Sequence, residues 1–263
     1  MPLATGTEPP IRFLHITDTH LYSDPGRLFR GLDTTQTLIQ VLAQAQTEDW
    51  PPAGVLLTGD LVHDEQAPGY DRLRRILDRL AVPVYPVAGN HDDPQLVATR
   101  LGSHWIRPQE VLDVGHWRLL FLDTHWPGEV RGRLTPEQLG RLETRLSEAA
   151  TRPTSICMHH PPIPVGSPWL DPLGLAEPAR LRGVIARHSQ VKLVLCGHVH
   201  QDYGARRDGV LYLTTPSTCV QFLPRSAHSA LDTQPPGYRW VSLAADGSVE
   251  TRVRSLAPAR SRP

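Results

Sequence analysis

Five short segments of the chain carry side chains able to hold a metal ion. They are Thr17-Asp18-Thr19-His20, Thr58-Gly59-Asp60, Gly89-Asn90-His91-Asp92, His159-His160-Pro161-Pro162 and Cys196-Gly197-His198-Val199-His200. Taken singly, most have an ordinary explanation, because an Asp at a strand end usually caps or closes a turn and Asn-His-Asp clusters also make turns. Gly197-His198-x-His200 is more specific, since two imidazoles two apart on an extended segment can reach neighbouring positions. All five together, in this order, leave little room for coincidence. Asp, Asn and His without Cys form a borderline-hard donor set that suits Mn, Fe, Zn or Co. The donors are too many for one ion. They suit two ions sharing a carboxylate, with the ~3.5–4 Å spacing of two-metal phosphoryl-transfer sites. Such a pair activates a bound water and stabilises charge on phosphate oxygens.

Positioning these residues requires strands that end where they begin. Ile11–Ile16, Gly54–Leu57, Val84–Val87, Trp117–Leu122, Ser155–Met158 and Val191–Leu195 read as strands. Between them, Thr34–Thr47 and Tyr70–Leu80 place apolar residues at helical spacing. Gln95–Leu101 reads as a short helix. Thr135-Pro-Glu-Gln138 has the form of a capping box opening a helix to about Ala149, and a further helix is expected near Glu177–His188. Val210–Thr214 and Arg239–Arg254 read as strands, the latter turning at Ala-Asp-Gly-Ser 245–248. Alternating strands and helices predict an α/β layered fold. Ligands of such folds collect at the carboxyl ends of strands, and each of the five segments falls just after a strand.

Composition excludes other classes. The 263 residues carry 27 basic and 27 acidic side chains, with 21% charged and 40% apolar residues, so the chain is not disordered. The balanced charge gives no pull towards nucleic acid or an anionic membrane. Arg72, Arg74, Arg75 and Arg79 read as a solvated helix face. Cys157, Cys196 and Cys219 form no CxxC pair, which argues against disulfides and a thiolate zinc site. The opening MPLATGTEPPIR lacks the basic and apolar parts of a signal peptide, and no apolar run approaches the ~20 residues of a membrane span. The expectation is one domain over 1–263 in the cytoplasm, with a metal-binding core at 10–200, C-terminal strands at 201–256 completing it, and a frayed tail from Ala257. A homodimer is compatible with this composition. Arg supplies 26 of the 27 basic residues, which reads as genome composition.

The ordered pattern resembles the calcineurin-like metallophosphoesterase superfamily, over residues 18 to 200 and with every element present. The resemblance implies a four-layer αββα sandwich. It implies that Asp18, His20 and His200 hold one ion, that Asn90, His159 and His198 hold the other, and that Asp60 bridges. His159 is assigned rather than His160 because the family ligand directly follows the strand. It also implies that His91 lies near the scissile phosphate with Asp92 orienting its ring, both counted with Asp60 as catalytic. Substrate would touch His20, Asp60, Asn90, His91 and His200.

Further segments are similar to bacterial class III cyclic nucleotide phosphodiesterases: Ile16–Leu21, Gly31–Thr34, Ser167–Asp171, Thr215–Phe222, and Pro236–Trp240 followed by Ala245–Gly247. That likeness implies hydrolysis of 3′,5′-cyclic AMP to 5′-AMP by a metal-held hydroxide. The two divalent ions would be Fe and/or Mn, with Zn or Co also suited. A glycerophosphodiesterase or broad phosphodiesterase shares all seven ligands. A non-catalytic binding module on this fold typically loses ligands, and this chain has lost none.

Overall fold

The computed structural model describes residues 8–257. In chain order these form β1 (Ile11–Ile16), α1 (Thr34–Gln46), β2 (Gly54–Thr58), α2 (Ala67–Asp78), β3 (Val84–Val87), α3 (Pro94–Leu96), β4 (Val111–Val114) and β5 (Trp117–Leu122). There follow α4 (Pro136–Ser147), β6 (Thr154–Met158), α5 (Pro178–Ala186), β7 (Val191–Cys196), β8 (Tyr203–Arg207), β9 (Val210–Thr214), β10 (Gly237–Leu243) and β11 (Val249–Ser255).

The period-2 alternation of the strands assigns each side chain to a layer. Leu14, Ile16, Val55 and Leu57 pack against Leu38, Val41, Leu42 and Ala45 of α1 and Tyr70, Leu73 and Leu77 of α2. Their neighbours Phe13 and Leu56 face the other way and meet Trp117, Leu119, Leu193, Leu195 and Val241. Beyond that second layer, Leu120, Ile156 and Val194 pack on Leu139, Leu142 and Leu146 of α4 and on Leu181, Val184 and Ile185 of α5. The result is the expected four-layer αββα sandwich, with each buried aliphatic side chain stabilising it by about 1.5–3 kcal/mol.

The two sheets have orders β11-β10-β1-β2-β3 and β4-β5-β6-β7-β9-β8. β1, β2 and β3 are parallel, as are β5, β6, β7 and β9. β11, β4 and β8 pair antiparallel at the edges, and β10 pairs antiparallel with both β1 and β11. The C-terminal segment therefore extends both sheets.

Several local expectations shift. α2 starts at Ala67, earlier than the apolar spacing indicated, because Pro68 in its first turn needs no hydrogen-bond partner. Arg72 of this helix is not solvated as expected: its guanidinium donates to the carbonyls of Tyr22 and Ser23, at 2.5 and 2.9 Å, and anchors the loop after β1. The short helix expected over Gln95–Leu101 is one α turn capped by Asp93, followed by a π-helical turn at Val97–Leu101. The capping box at Thr135 is present. β4 and β8 were not expected. Both are edge strands, β4 mostly half-buried and β8 mostly exposed, and neither shows clean alternation. The expected fraying of the last residues falls mostly on 258–263, outside the described residues. No helix among the described residues is long and apolar enough to cross a membrane.

Candidate active site

The ends of five parallel strands converge on one cage. Asp18 and His20 follow β1, Asp60 follows β2, and Asn90 and His91 follow β3; His159 follows β6, and His198 and His200 follow β7. Backbone bonds lock these loops together: Asp18 N donates to Gly59 O at 3.0 Å, His20 N to Asp60 O at 2.9 Å, and Gly197 N to His159 O at 3.0 Å. Five of the residues, Asp18, His20, Asp60, His198 and His200, adopt left-handed backbone with φ of 52°, 44°, 52°, 72° and 48°. That conformation is uncommon for non-glycine residues and costs about 1–3 kcal/mol each, a strain that clusters at functional sites.

Glycines make room for the cage. A Cβ at Gly89 would strike the Asp60 carboxylate, and one at Gly59 would come within 2.5 Å of His159 Nδ1. One at Gly197 would strike Thr17 Oγ1 and come within 2.8 Å of Asp18 Oδ2.

Inside the cage the donor atoms face one another. His200 Nε2 lies 3.3 Å from Asp18 Oδ1 and 3.1 Å from His20 Nε2, which is itself 3.6 Å from Asp60 Oδ2. His159 Nε2 lies 3.3 Å from Asp60 Oδ1, and His198 Nδ1 lies 3.0 Å from Asn90 Oδ1. The outer nitrogens are held from behind. His159 Nδ1 donates to Thr58 O and His200 Nδ1 to Val220 O, both at 2.7 Å. A carbonyl can only accept, so both rings turn their Nε2 inward, as metal-binding imidazoles require. His159 Nε2 and His198 Nε2 are buried without a hydrogen-bond partner among the described residues. Orphaned buried nitrogens beside carboxylates fit divalent ions, and the all-oxygen-and-nitrogen donor set fits the metals expected.

His160 is also buried here but is committed elsewhere. Its Nδ1 pairs with Thr124 Oγ1 at 2.7 Å and its Nε2 with Val130 O at 3.1 Å. Both His160 nitrogens are thus engaged, whereas His159 Nε2 has no hydrogen-bond partner among the described residues.

Electrostatics follow from burial and pairing. Burial opposes the Asp60 charge, yet His159, then His20 and His91, hold its carboxyl well below the usual range. Burial likewise opposes charge on His159, but Asp60 outweighs it and pushes His159 up to about 9. Burial also opposes charge on His200, but Asp18 outweighs it and raises His200 well above its ordinary value. Burial drives His20 well below its ordinary value and His198 down to about 3. Without metal, protons on His159 and His200 thus offset the two carboxylates, at positions where cations would take over.

Asp92 is placed differently from the expectation. Its buried carboxylate accepts from the amides of Leu61, Val62 and Gly89, at 3.0, 3.2 and 2.8 Å, and from Tyr70 Oη at 3.0 Å. No hydrogen bond joins it to the His91 ring among the described residues. Adjacency in sequence suggested that it orients the imidazole; the turn at Asn90 instead sends it down to brace the Asp60 loop. Burial and the Asp60 charge push it up to about 6, against those three backbone bonds.

The cage floors a cleft of about 390 Å³, within the range of small-molecule sites. His20, Asp60, Asn90, His91, His198 and His200 line its base. One wall carries Tyr22, Phe29, Arg30 and His63, the other Trp169, Leu170 and Phe222. Phe29 stacks on His20 at 4.6 Å and Phe222 on His200 at 4.3 Å between ring centroids. A separate, mostly apolar cavity of about 210 Å³ opens beside β3, β5 and α4, and no cage residue lines it.

The other sequence segments find their roles around this cage. Ser217 Oγ donates to Asp18 O at 2.8 Å and Thr218 N to Thr17 O at 3.2 Å, while Gln221 clamps both backbone groups of Ser217. Thr34 Oγ1 donates to His20 O at 3.0 Å. Sequence reasoning missed His63 and His15. His63 stands three residues after Asp60 in the same loop, a position that could have flagged it. His15 bonds Thr58 Oγ1 at 2.8 Å and Thr215 Oγ1 at 2.7 Å, deep beneath the cage, with no sequence signal to mark it.

The chain is similar to known proteins. A family model described as calcineurin-like phosphoesterase matches residues 11–202. A Pseudomonas aeruginosa protein named 3′,5′-cyclic adenosine monophosphate phosphodiesterase CpdA is 37% identical over 94% of this chain and 90% of its own length. Its namesake from Escherichia coli K12 is 35% identical over 100% of this chain and 95% of its own. A dimetal phosphatase structure from Danio rerio superposes with a TM-score of 0.66 at 18% identity, covering 95% of this chain and 100% of that one, which speaks for the fold alone. With its matched core, near full-length relatives and strand-end cage, the chain belongs to the calcineurin-like phosphoesterase family.

Proposed function

We propose that this chain is a binuclear-metal phosphodiesterase that hydrolyses 3′,5′-cyclic AMP to 5′-AMP. The observation that carries the reading is the donor set gathered at the strand ends, five of whose members (His20, Asp60, Asn90, His198 and His200) line a cleft sized for a small molecule, with two buried imidazole nitrogens unpartnered among the described residues. Near full-length similarity to proteins named cyclic AMP phosphodiesterases supports the choice of phosphodiester.

In this reading Asp18, His20 and His200 would hold one ion, Asn90, His159 and His198 the other, and Asp60 would serve both. The ions are iron and/or manganese, with zinc or cobalt also suited to the donors. When bound, such a pair polarises the phosphoryl oxygens and lowers the pKa of a water that can serve as nucleophile. His20, Asp60, Asn90, His91 and His200 face the cleft and hold the phosphate against its base. The aromatic walls of Phe29 and of Trp169 and Phe222 offer faces to the base and ribose, where stacking contributes about 1–3 kcal/mol. The attacking water gives up a proton to solvent, its oxygen bonds to phosphorus as the bond from phosphorus to O3′ breaks, and His91 delivers a proton to the departing O3′. General-acid help of this kind gives ~10²–10⁴-fold. The setting is the cytoplasm, where three free, buried cysteines stay reduced.

The test compares steady-state rates on cyclic AMP, glycerophosphocholine and bis-p-nitrophenyl phosphate under Mn²⁺, with metal content and sedimentation measured on the same sample. Cyclic AMP should be turned over to 5′-AMP with about two metal ions per chain. Preference for glycerophosphocholine with cyclic AMP untouched overturns the substrate, and protein that holds metal yet hydrolyses none of the three overturns the enzyme reading. Sedimentation shows whether the active species is a monomer or a homodimer.

A further inference from the structure

Of the imidazoles that line the cleft, His63 alone has no role in the reading above. Its Nδ1 lies 3.0 Å from His20 Nδ1, and its ring stacks on His91 with centroids 4.3 Å apart and planes at 26°. Phe29, at 4.7 Å, and Tyr22, at 5.1 Å, back it.

Two imidazole nitrogens at hydrogen-bond distance share one proton. Two protons would repel, and two lone pairs would too. His20 turns its Nε2 into the cage, towards His200 Nε2 and Asp60 Oδ2. If that nitrogen offers its lone pair to a cation, the proton of the neutral ring sits on Nδ1. His63 Nδ1 must then accept, and the proton of neutral His63 sits on its Nε2. The arrangement differs from His159 and His200, whose outer nitrogens donate to backbone carbonyls. The tautomer of His20 depends instead on a side chain.

We propose that His63 is a positioning residue that accepts the Nδ1–H of His20, so fixing His20 Nε2 as the metal-facing lone pair, and that it presents its own Nε2–H to the cleft beside His91. The proposal rests on His20 being a ligand. His63 belongs to none of the groups of converging donor atoms among the described residues, and its Nδ1 is engaged with the far side of His20.

The test titrates metal-free protein with Zn²⁺ against a chromophoric chelator. Wild type should take two ions. His63→Leu, which fills similar space without an acceptor, should bind one of them about 10–100-fold more weakly, as is typical on losing an outer partner of a ligand. His63→Asn, whose Oδ1 can stand near the lost Nδ1, should recover most of that affinity. Nitrogen-15 spectra of the zinc-loaded wild type should show His63 protonated on Nε2 and His20 on Nδ1, a readout that does not depend on any variant folding. Wild-type affinity in His63→Leu, or a proton on His63 Nδ1, overturns the proposal alone. Wild-type protein that binds no zinc overturns the ligand assignment and the proposal with it.

Discussion

The backbone amide of His198 donates to both carboxylate oxygens of Asp18, at 3.1 and 3.0 Å, across 180 residues of chain. Asp18 follows a strand of one sheet and His198 a strand of the other, so this fork ties the two sheets together at the cage. Thr17 Oγ1 adds a third bond to Asp18 Oδ2 at 2.7 Å. The carboxylate is therefore oriented before any cation arrives, which is how a rigid fold prepares a metal site.

That fork requires glycine at position 197. In Gly197→Ala the new methyl would meet Thr17 Oγ1, Asp18 Oδ2 and the carbonyl of Thr58, and the last is backbone that cannot swing away. We expect the variant to fold, to melt lower by the ~1–3 kcal/mol of an overpacked site, and to retain less than one ion in the Asp18 position. Metal analysis beside a thermal melt checks this. Wild-type metal content would show that the Asp18 position tolerates the methyl.

Ligand identity at the two adjacent histidines is separable. His159→Gln should drop the metal content from two ions towards one and abolish phosphodiesterase activity. His160→Gln should keep both ions, because that ring bonds Thr124 and Val130 rather than the cage. Its cost should appear in stability, since a fully buried partner of Thr124 is altered. The reverse pattern of metal loss would exchange the two assignments.

Much of this was legible in the chain itself. Each donor follows an apolar strand run, and the parity of Phe13 against Leu14, or of Leu193 against Val194, separates the inner layer from the outer ones. What escaped has physical reasons. β4 and β8 lie at sheet edges and carry no alternation to read. The left-handed backbone at Asp18, His20, Asp60, His198 and His200 is imposed by tertiary bonds, and no residue type there demands it. Asp92 sits beside His91 in sequence yet bonds Leu61 and Val62, thirty residues back, because hydrogen bonding is decided after the loops meet. His63 is a single imidazole without a motif, and only its 3.0 Å approach to His20 gives it meaning.

Stability should depend on pH in a way that metal removes. In metal-free protein the Asp60 carboxylate, overcoming burial, pushes His159 up to about 9 from 6.5. A group protonated more readily when folded stabilises the fold fully below its unfolded pKa and loses that contribution as pH rises through its folded one. Chelator-treated protein should therefore lose stability from about pH 6.5 to about pH 9. A bound cation replaces that proton, so the loaded protein should lack this loss, and metal affinity should climb over the same window. Melting curves at several pH values, with and without chelator, decide it. Constant stability of the metal-free protein across that window contradicts the His159–Asp60 pairing.

Asp92→Asn distinguishes a brace from an orienting residue. The carboxylate receives three amides and the Tyr70 hydroxyl, all buried. Asparagine keeps one acceptor and turns an NH₂ group towards donors, which leaves buried groups unpaired at about 1–3 kcal/mol. The melting temperature should fall by several degrees. Activity should fall too, because Leu61 and Val62 follow Asp60, Gly89 precedes Asn90, and the carboxylate ties those loops. The pH–rate profile should keep its shape, since the His91 ring is not among its partners. A shifted profile in a variant that melts like the wild type would instead return Asp92 to the role of orienting His91, and would mean that the loop turns over during catalysis to bring the two side chains together.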